Sequence, residues 1–136
     1  MKRNVNLPLI LLIAAICLVV LSSSAYFVSA RPVPTGKAIN SKYITILQHS
    51  FRFDQSNYPY NVIGILANTN KNLNITGTYI LGQLFDKDRK LITSSFGAPD
   101  FGTLRPGENS TFKLAFLARA NETVDHYVIF PSGEPS

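Results

Sequence analysis

Apolar and polar positions alternate along most of this chain in short runs, which are separated by clusters of turn residues. Six runs predict β-strands: Tyr43 to Phe53, Tyr60 to Ala67, Leu73 to Phe85, Lys90 to Ser95, Ser110 to Leu117 and Tyr127 to Phe130. None of the sequence after residue 30 has convincing helical periodicity. The spacing of strands and turns is typical of an all-β sandwich.

The run from Ser110 to Leu117 has the clearest alternation. Phe112, Leu114 and Phe116 fall on one face, and polar or small residues fall on the other. Side chains two positions apart share a face of a strand. We therefore expect these three residues to enter the core together with Leu84.

The run from Leu73 to Phe85 has two competing registers, one that buries Ile75 and one that buries Ile80. A strand cannot bury both without an irregularity, because the side-chain period is two. A bulge at Gly77 or Gly82 would reconcile the two registers.

The first thirty residues have a different pattern. A basic start, Lys2 and Arg3, is followed by an apolar tract that continues with small residues to Val28. The tract is long enough to span a bilayer of about 30 Å, and small residues before Ala30 also suit cleavage of a signal peptide. Residues 1–30 are therefore a signal peptide or an N-terminal transmembrane anchor, and either places the remainder outside the cytoplasm.

The remainder is predicted to contain a linker at residues 31–41, a single domain at 42–131 and a tail at 132–136. Cys17 is the sole cysteine of the 136 residues, so the exported part can form neither a disulfide nor a thiolate zinc site. Removing Lys2 and Arg3 from the thirteen basic residues leaves eleven, against eight acidic ones. This small surplus is spread along the chain and argues against nucleic-acid binding.

Three segments resemble motifs of the FxLYD domain family, in the same order. They are Val62 to Asn68, Gly82 to Asp86, and Leu104 to Glu108 followed by Phe112. The resemblance covers about residues 43–130. It implies an immunoglobulin-like antiparallel β-sandwich of exported microbial proteins, and it implies no known catalytic residues.

The two turns inside these segments have clear physical roles. Asp86 can accept hydrogen bonds from backbone amides of the turn that it opens. Pro106 fixes its own φ and Gly107 allows a positive φ, so the pair predicts a tight reversal. Gly82 and Phe85 stand where the family name has phenylalanine and tyrosine.

Two constellations are candidates for metal binding. His49 and His126 would provide two ligands if the first and last strands were neighbours, which is fewer than a zinc site needs. Asp86, Asp88 and Asp100 offer oxygen ligands for calcium, but three basic residues crowd the same turn. We interpret the two histidines as surface or edge-strand residues and the aspartates as part of an ordinary polar turn. We expect no catalytic, cofactor or metal site.

Two other features concern the surface. Asn74, Asn109 and Asn121 each begin an Asn-x-Ser/Thr sequon and are candidate glycosylation sites. In the run from Tyr60 to Ala67 both faces are apolar, so Ile63 and Ile65 would point outward if the family register holds. They are either covered by neighbouring residues or form an interaction patch.

These observations favour a non-catalytic binding or assembly module outside the cytoplasm, tethered to the membrane by its N-terminal helix. Its expected partners are the membrane, through residues 1–30, and a protein of the cell envelope, without a cofactor or nucleic acid. The alternative is a secreted protein, released by cleavage after Ala30. An exported small-ligand or metal-ion-binding protein is the alternative function.

Overall fold

The computed structural model describes residues 31–54, 60–119 and 121–136, and the regular structure in these residues is entirely β. It contains the strands β1 (Thr35–Ala38), β2 (Ile44–Phe53), β3 (Tyr60–Asn68), β4 (Ile75–Phe85), β5 (Leu91–Gly97), β6 (Thr103–Leu104), β7 (Asn109–Phe116) and β8 (His126–Pro135). The six predicted strands correspond to β2, β3, β4, β5, β7 and β8. The all-β prediction is confirmed.

The strands form two sheets. The first sheet has the order β1-β8-β4-β5, with β6 also beside β4, and the second has the order β2-β3-β7. The second sheet is antiparallel throughout. The first is mixed, because β1 runs parallel to β8 while the other pairs are antiparallel. The expectation of purely antiparallel sheets is corrected at this strand.

Both sheets contribute to one hydrophobic core. Phe112, Leu114 and Phe116 of β7 are at most 3 % exposed, and Leu84 of β4 is fully buried in the same cluster. Gly82 on β4 lies directly under β7, since a Cβ atom built there would be 2.5 Å from the Phe116 ring. The predicted inward face of β7 is confirmed.

A bulge at Gly77 resolves the two registers of β4. The pairing of β4 with β8 shifts between Thr76 and Tyr79, and Gly77 has a φ of 58°. Glycine adopts this left-handed conformation without the steric penalty of a Cβ atom. As a result Ile75 and Ile80 are both fully buried.

The two predicted turns form as expected. One Asp86 carboxylate oxygen accepts hydrogen bonds from the backbone N–H groups of Asp88 and Lys90, each at 2.9 Å. Gly107 has a φ of 75°, and the Glu108 carboxylate accepts a hydrogen bond from the backbone N–H at the start of the same turn. Both turns are therefore held by carboxylates from within the turn itself.

Asn68, at the end of β3, is fully buried and joins three segments. Its side-chain amide donates to the carbonyls of Leu73 at 2.8 Å and Leu104 at 3.0 Å, and its Oδ1 accepts from the Asn70 backbone N–H at 2.9 Å. Its own backbone groups bond to residues 107 and 108. We call this end of the domain the Asn68 end.

The opposite end is defined by the 86–90 turn, and we call it the hairpin end. Phe85 pairs with His126, and Thr35 also pairs with His126, so β4 ends and both β1 and β8 begin at the hairpin end. β2 begins at the other end, because Ile44 pairs with Asn68.

Two segments differ from their predicted structure. Residues 35–38, in the predicted linker, form β1. The predicted tail, residues 132–136, mostly belongs to β8, which runs to Pro135 and pairs with β4. Prolines are tolerated here because β1 stops pairing at Ile129, so beyond it β8 lies at a sheet edge among the described residues. In the described residues no helix is long and apolar enough to cross a bilayer, and the predicted signal or anchor lies outside them.

Candidate interaction surface

The outer face of the first sheet is rich in exposed and half-buried apolar side chains. On β4 the residues that alternate with the core point outward, and on β5 and β8 their cross-strand partners do the same. We define the aromatic face as these apolar residues together with Ile39, which follows β1: Ile39, Tyr79, Leu81, Phe85, Phe96, Val128 and Phe130.

The register places these side chains in rows across the sheet. One row contains Leu81, with Phe96 as its partner on β5 and Phe130 as its partner on β8. Phe96 is 72 % exposed and Tyr79 is 46 % exposed. Their ring centroids are 6.4 Å apart, so the two exposed rings form one cluster.

The next rows are closer to the hairpin end. Val128 pairs with Gln83, and Phe85 pairs with His126. The rings of Phe85 and His126 are stacked, with centroids 5.1 Å apart and an interplanar angle of 9°. The face therefore carries one aromatic pair towards each end, with Leu81 and Val128 between them.

Charged groups are sparse on this face. Lys37 on β1 pairs with Val128, and alternation places it on the outer side, because Ala38 packs against the core. At the hairpin end, the Asp125 carboxylate lies 2.9 Å from His126 Nδ1. Among the described residues, the rows from Phe85 to Tyr79 carry no carboxylate on this side.

The predicted patch at Ile63 and Ile65 lies on the outer face of the second sheet. Both side chains are only half-buried, and their cross-strand partners on β7 are Lys113 and Thr111. Polar residues of β2 flank them on the other side, so the two isoleucines lie in a mixed surface rather than a continuous apolar one.

The aromatic face had a signal in the sequence. β4 is apolar on both of its faces, and Val128 and Phe130 carry the same second apolar face in the last strand. In the run from Leu73 to Phe85, apolar residues at both odd and even positions predict two competing registers of one strand. They also indicate a sheet that is apolar on both sides.

The two histidines belong to different sheets, His49 to β2 of the second sheet and His126 to β8 of the first, and they lie on opposite sides of the first sheet. His49 Nδ1 lies 2.8 Å from the hydroxyl oxygen of Tyr127, which points into the core. His126 is the neighbour of Tyr127 on β8 and therefore points to the opposite face. Burial lowers the pKa of His49 and raises the pKa of Tyr127. No group of three or more metal-ligating side chains occurs among the described residues.

The aspartates considered for calcium serve turns and loops. Asp86 caps its own turn, and Asp100 accepts a hydrogen bond from the Thr111 hydroxyl group in another part of the surface. A cleft of about 820 Å³ does lie at the hairpin end, between the 86–92 segment and residues 121–125. Lys87 and Lys90 line it beside the aspartates, so it has mixed charge.

Asn74, Asn109 and Asn121, the three candidate glycosylation sites, are exposed. Asn74 precedes β4 and Asn109 begins β7, both at the Asn68 end, while Asn121 lies in the loop between β7 and β8. None is on the aromatic face.

The chain matches no protein-family model, no curated protein and no solved structure in the three comparisons with known proteins. The candidate function therefore depends on the sequence and on the surface described above.

Proposed function

We propose that this protein is a non-catalytic binding or assembly module outside the cytoplasm, tethered to the membrane through residues 1–30. The observation that carries the proposal is the aromatic face. Exposed apolar surface is costly in water, and contiguous apolar patches on soluble domains commonly mark interaction sites. Phe96 and Tyr79 provide the kind of large aromatic side chain that dominates binding energy at interfaces.

The finer description of the fold belongs to this proposal. Two sheets that share one core suit an immunoglobulin-like β-sandwich, and the Asp86 turn, the Gly107 turn and the buried Asn68 are consistent with a domain of the FxLYD type. Such sandwiches present their outer sheet faces and their end loops to partners, so a binding role needs no catalytic group.

The location follows from the apolar N-terminal tract and its basic start. The test is the full chain expressed in a cell with an envelope, followed by alkaline extraction and by protease treatment of intact cells whose outer surface is accessible. A tethered module stays in the membrane pellet and is digested from outside. Mass measurement of the purified protein separates an intact anchor from release after Ala30, and a protease-protected cytosolic chain would refute the proposal.

The binding role is tested by a photo-crosslinking amino acid placed at Phe96 in the same cells. The matched control is the same substitution at Phe101, which is 54 % exposed but lies outside the aromatic face. We expect a crosslinked product of defined mass from position 96 and none from position 101. Equal labelling at both positions, or none at either, would contradict the proposed surface.

A further inference from the structure

We infer that the aromatic face binds the same face of a second copy of this chain, in a two-fold dimer of copies in one membrane. The two-fold axis runs along the strands, between β4 and β8, in the plane where the faces meet. The inference rests on the proposed function for its membrane setting, and it adds the partner and the geometry.

Under this two-fold axis most apolar side chains of the face lie opposite apolar side chains of the second copy. Rotation about that axis keeps each residue in its row and exchanges sides, so β1 lies over β5 of the other copy and β8 lies over β4. Ile39 is then opposite Phe96, and Phe130 is opposite Leu81. Each contact occurs twice, as required of an isologous interface.

Two polar side chains of the face fit this arrangement, whereas Gln83 lies opposite Val128. Lys37 lies in the row of Gln83, whose partner on β5 is Ser94. It is therefore opposite a serine at the rim, where an ammonium group keeps access to water. In the Tyr79 row the tyrosine hydroxyl is opposite Ser132, which can accept or donate a hydrogen bond.

The alternative axis, across the strands, is less favourable. It keeps β4 over β4 and exchanges the ends, which places Gln83 against Leu81 and Lys37 against Ile39. Gln83 lies opposite an aliphatic side chain with either axis, but the axis across the strands also buries the Lys37 ammonium against an apolar side chain instead of placing it opposite Ser94. It would also put the two Pro32 residues, where each chain enters its domain at the hairpin end, on opposite sides of the dimer.

The axis along the strands keeps both hairpin ends on the same side. Two chains tethered in one membrane can therefore meet by this face without either domain turning over. The size of the face fits such a tethered contact. Four strands and seven residues span about 19 by 23 Å, so two faces bury on the order of 900 Å², which is typical of weak association. Confinement to one membrane raises the effective concentration and favours a weak contact.

The test uses the full chain with Cys17→Ala, so that engineered cysteines are the only thiols, reconstituted in liposomes. One population carries Lys37→Cys and another carries Ser94→Cys, and the two are mixed in the same membranes. A bis-maleimide whose reach matches the roughly 10 Å between packed sheets is then added. We expect the mixed sample to give a crosslinked dimer, and either population alone to give far less.

Phe96→Glu is the disrupting variant, and Phe101→Glu is its matched control, because both rings are exposed and both changes add one charge. We expect Phe96→Glu to lower the crosslinked fraction about tenfold, because it places a carboxylate against Ile39 of the second copy, and Phe101→Glu to leave it unchanged. Circular dichroism of both variants shows whether the fold is retained.

Two results would overturn the inference. One is monomer at every protein density with the fold intact. The other is efficient crosslinking of Lys37→Cys to itself, which indicates the axis across the strands. If the photo-crosslinker at position 96 meanwhile captures a different envelope protein, the proposed binding function stands and the second copy is excluded as its partner. If it captures nothing, both fail.

Discussion

Asn68 gives the sharpest test of how this fold is held together. Asn68→Ala removes three side-chain hydrogen bonds at a site with 0 % exposure. It leaves the carbonyls of Leu73 and Leu104 and the N–H of Asn70 without these partners. At about 1 kcal/mol net for each bond, we expect a loss of about 3 kcal/mol in the free energy of unfolding.

For a domain of this size, that loss corresponds to a fall of about 12–24 °C in Tm. The measurement is thermal and urea unfolding of the full chain in detergent, followed by far-ultraviolet circular dichroism because the chain has no tryptophan. Asn72→Ala is the matched control, since Asn72 is exposed and contributes to the same loop through its backbone N–H. It should change stability by less than about 0.5 kcal/mol.

Asn68→Asp separates the hydrogen bonds from packing volume. It keeps the size and an acceptor oxygen, but it turns a carboxylate oxygen toward two carbonyl oxygens. We expect it to be at least as destabilising as alanine at neutral pH and less so in acid, where protonation restores a donor. A Tm for Asn68→Ala within a degree or two of Asn72→Ala would refute the role given to this residue.

Burial lowers the pKa of His49, so the folded state favours the neutral ring. The stability that the neutral ring contributes is complete above the ordinary pKa of 6.5 and is lost as the pH falls below that value. Urea unfolding from pH 8 to 5 should therefore show a pH-dependent loss that His49→Gln flattens, and an equal effect of His126→Gln would contradict this assignment. Gly133→Ala should lower the free energy of unfolding by about 1–3 kcal/mol, because its Cβ would lie 2.6 and 2.9 Å from two buried isoleucine methyl carbons. The control is Gly102→Ala, whose Cβ meets open space. Equal Tm values for the two variants would show that the end of β8 is not packed. Asp86→Ala removes the carboxylate that accepts hydrogen bonds from two backbone N–H groups of an exposed turn, and it should lower the free energy of unfolding in urea by about 1–2 kcal/mol. An unchanged urea midpoint would show that the turn forms without these two bonds.

The features that could be predicted from the sequence depend on local chemistry. The Asp86 turn is determined by a carboxylate next to its own amides, and the turn at Gly107 is determined by the backbone preferences of proline and glycine. The inward face of β7 follows from simple alternation. The bulge at Gly77 could be narrowed to two glycines, and only the pairing with β8 decides between them.

The remaining features depend on contacts that are distant in the sequence. Residues 35–38 have little strand propensity of their own, and they become β1 because β8 offers a free edge. The last residues read as a tail because of their prolines and glycine, yet β4 holds them in register. The aromatic face arises when β4, β5 and β8 come together, so no single segment reveals it. Ile63 is a candidate from sequence alone because its own strand is apolar on both faces.

If the domain is tethered by its N-terminus as proposed, the parallel pairing of β1 with β8 has a mechanical consequence. Tension along the strands would load the hydrogen bonds of these four residues in shear, so they would resist together and break together. Once β1 detached, the first anchored strand would be β2, which begins at the opposite pole of the domain. About twelve freed residues could extend by about 40 Å. The chain would then enter the folded domain at the Asn68 end instead of the hairpin end.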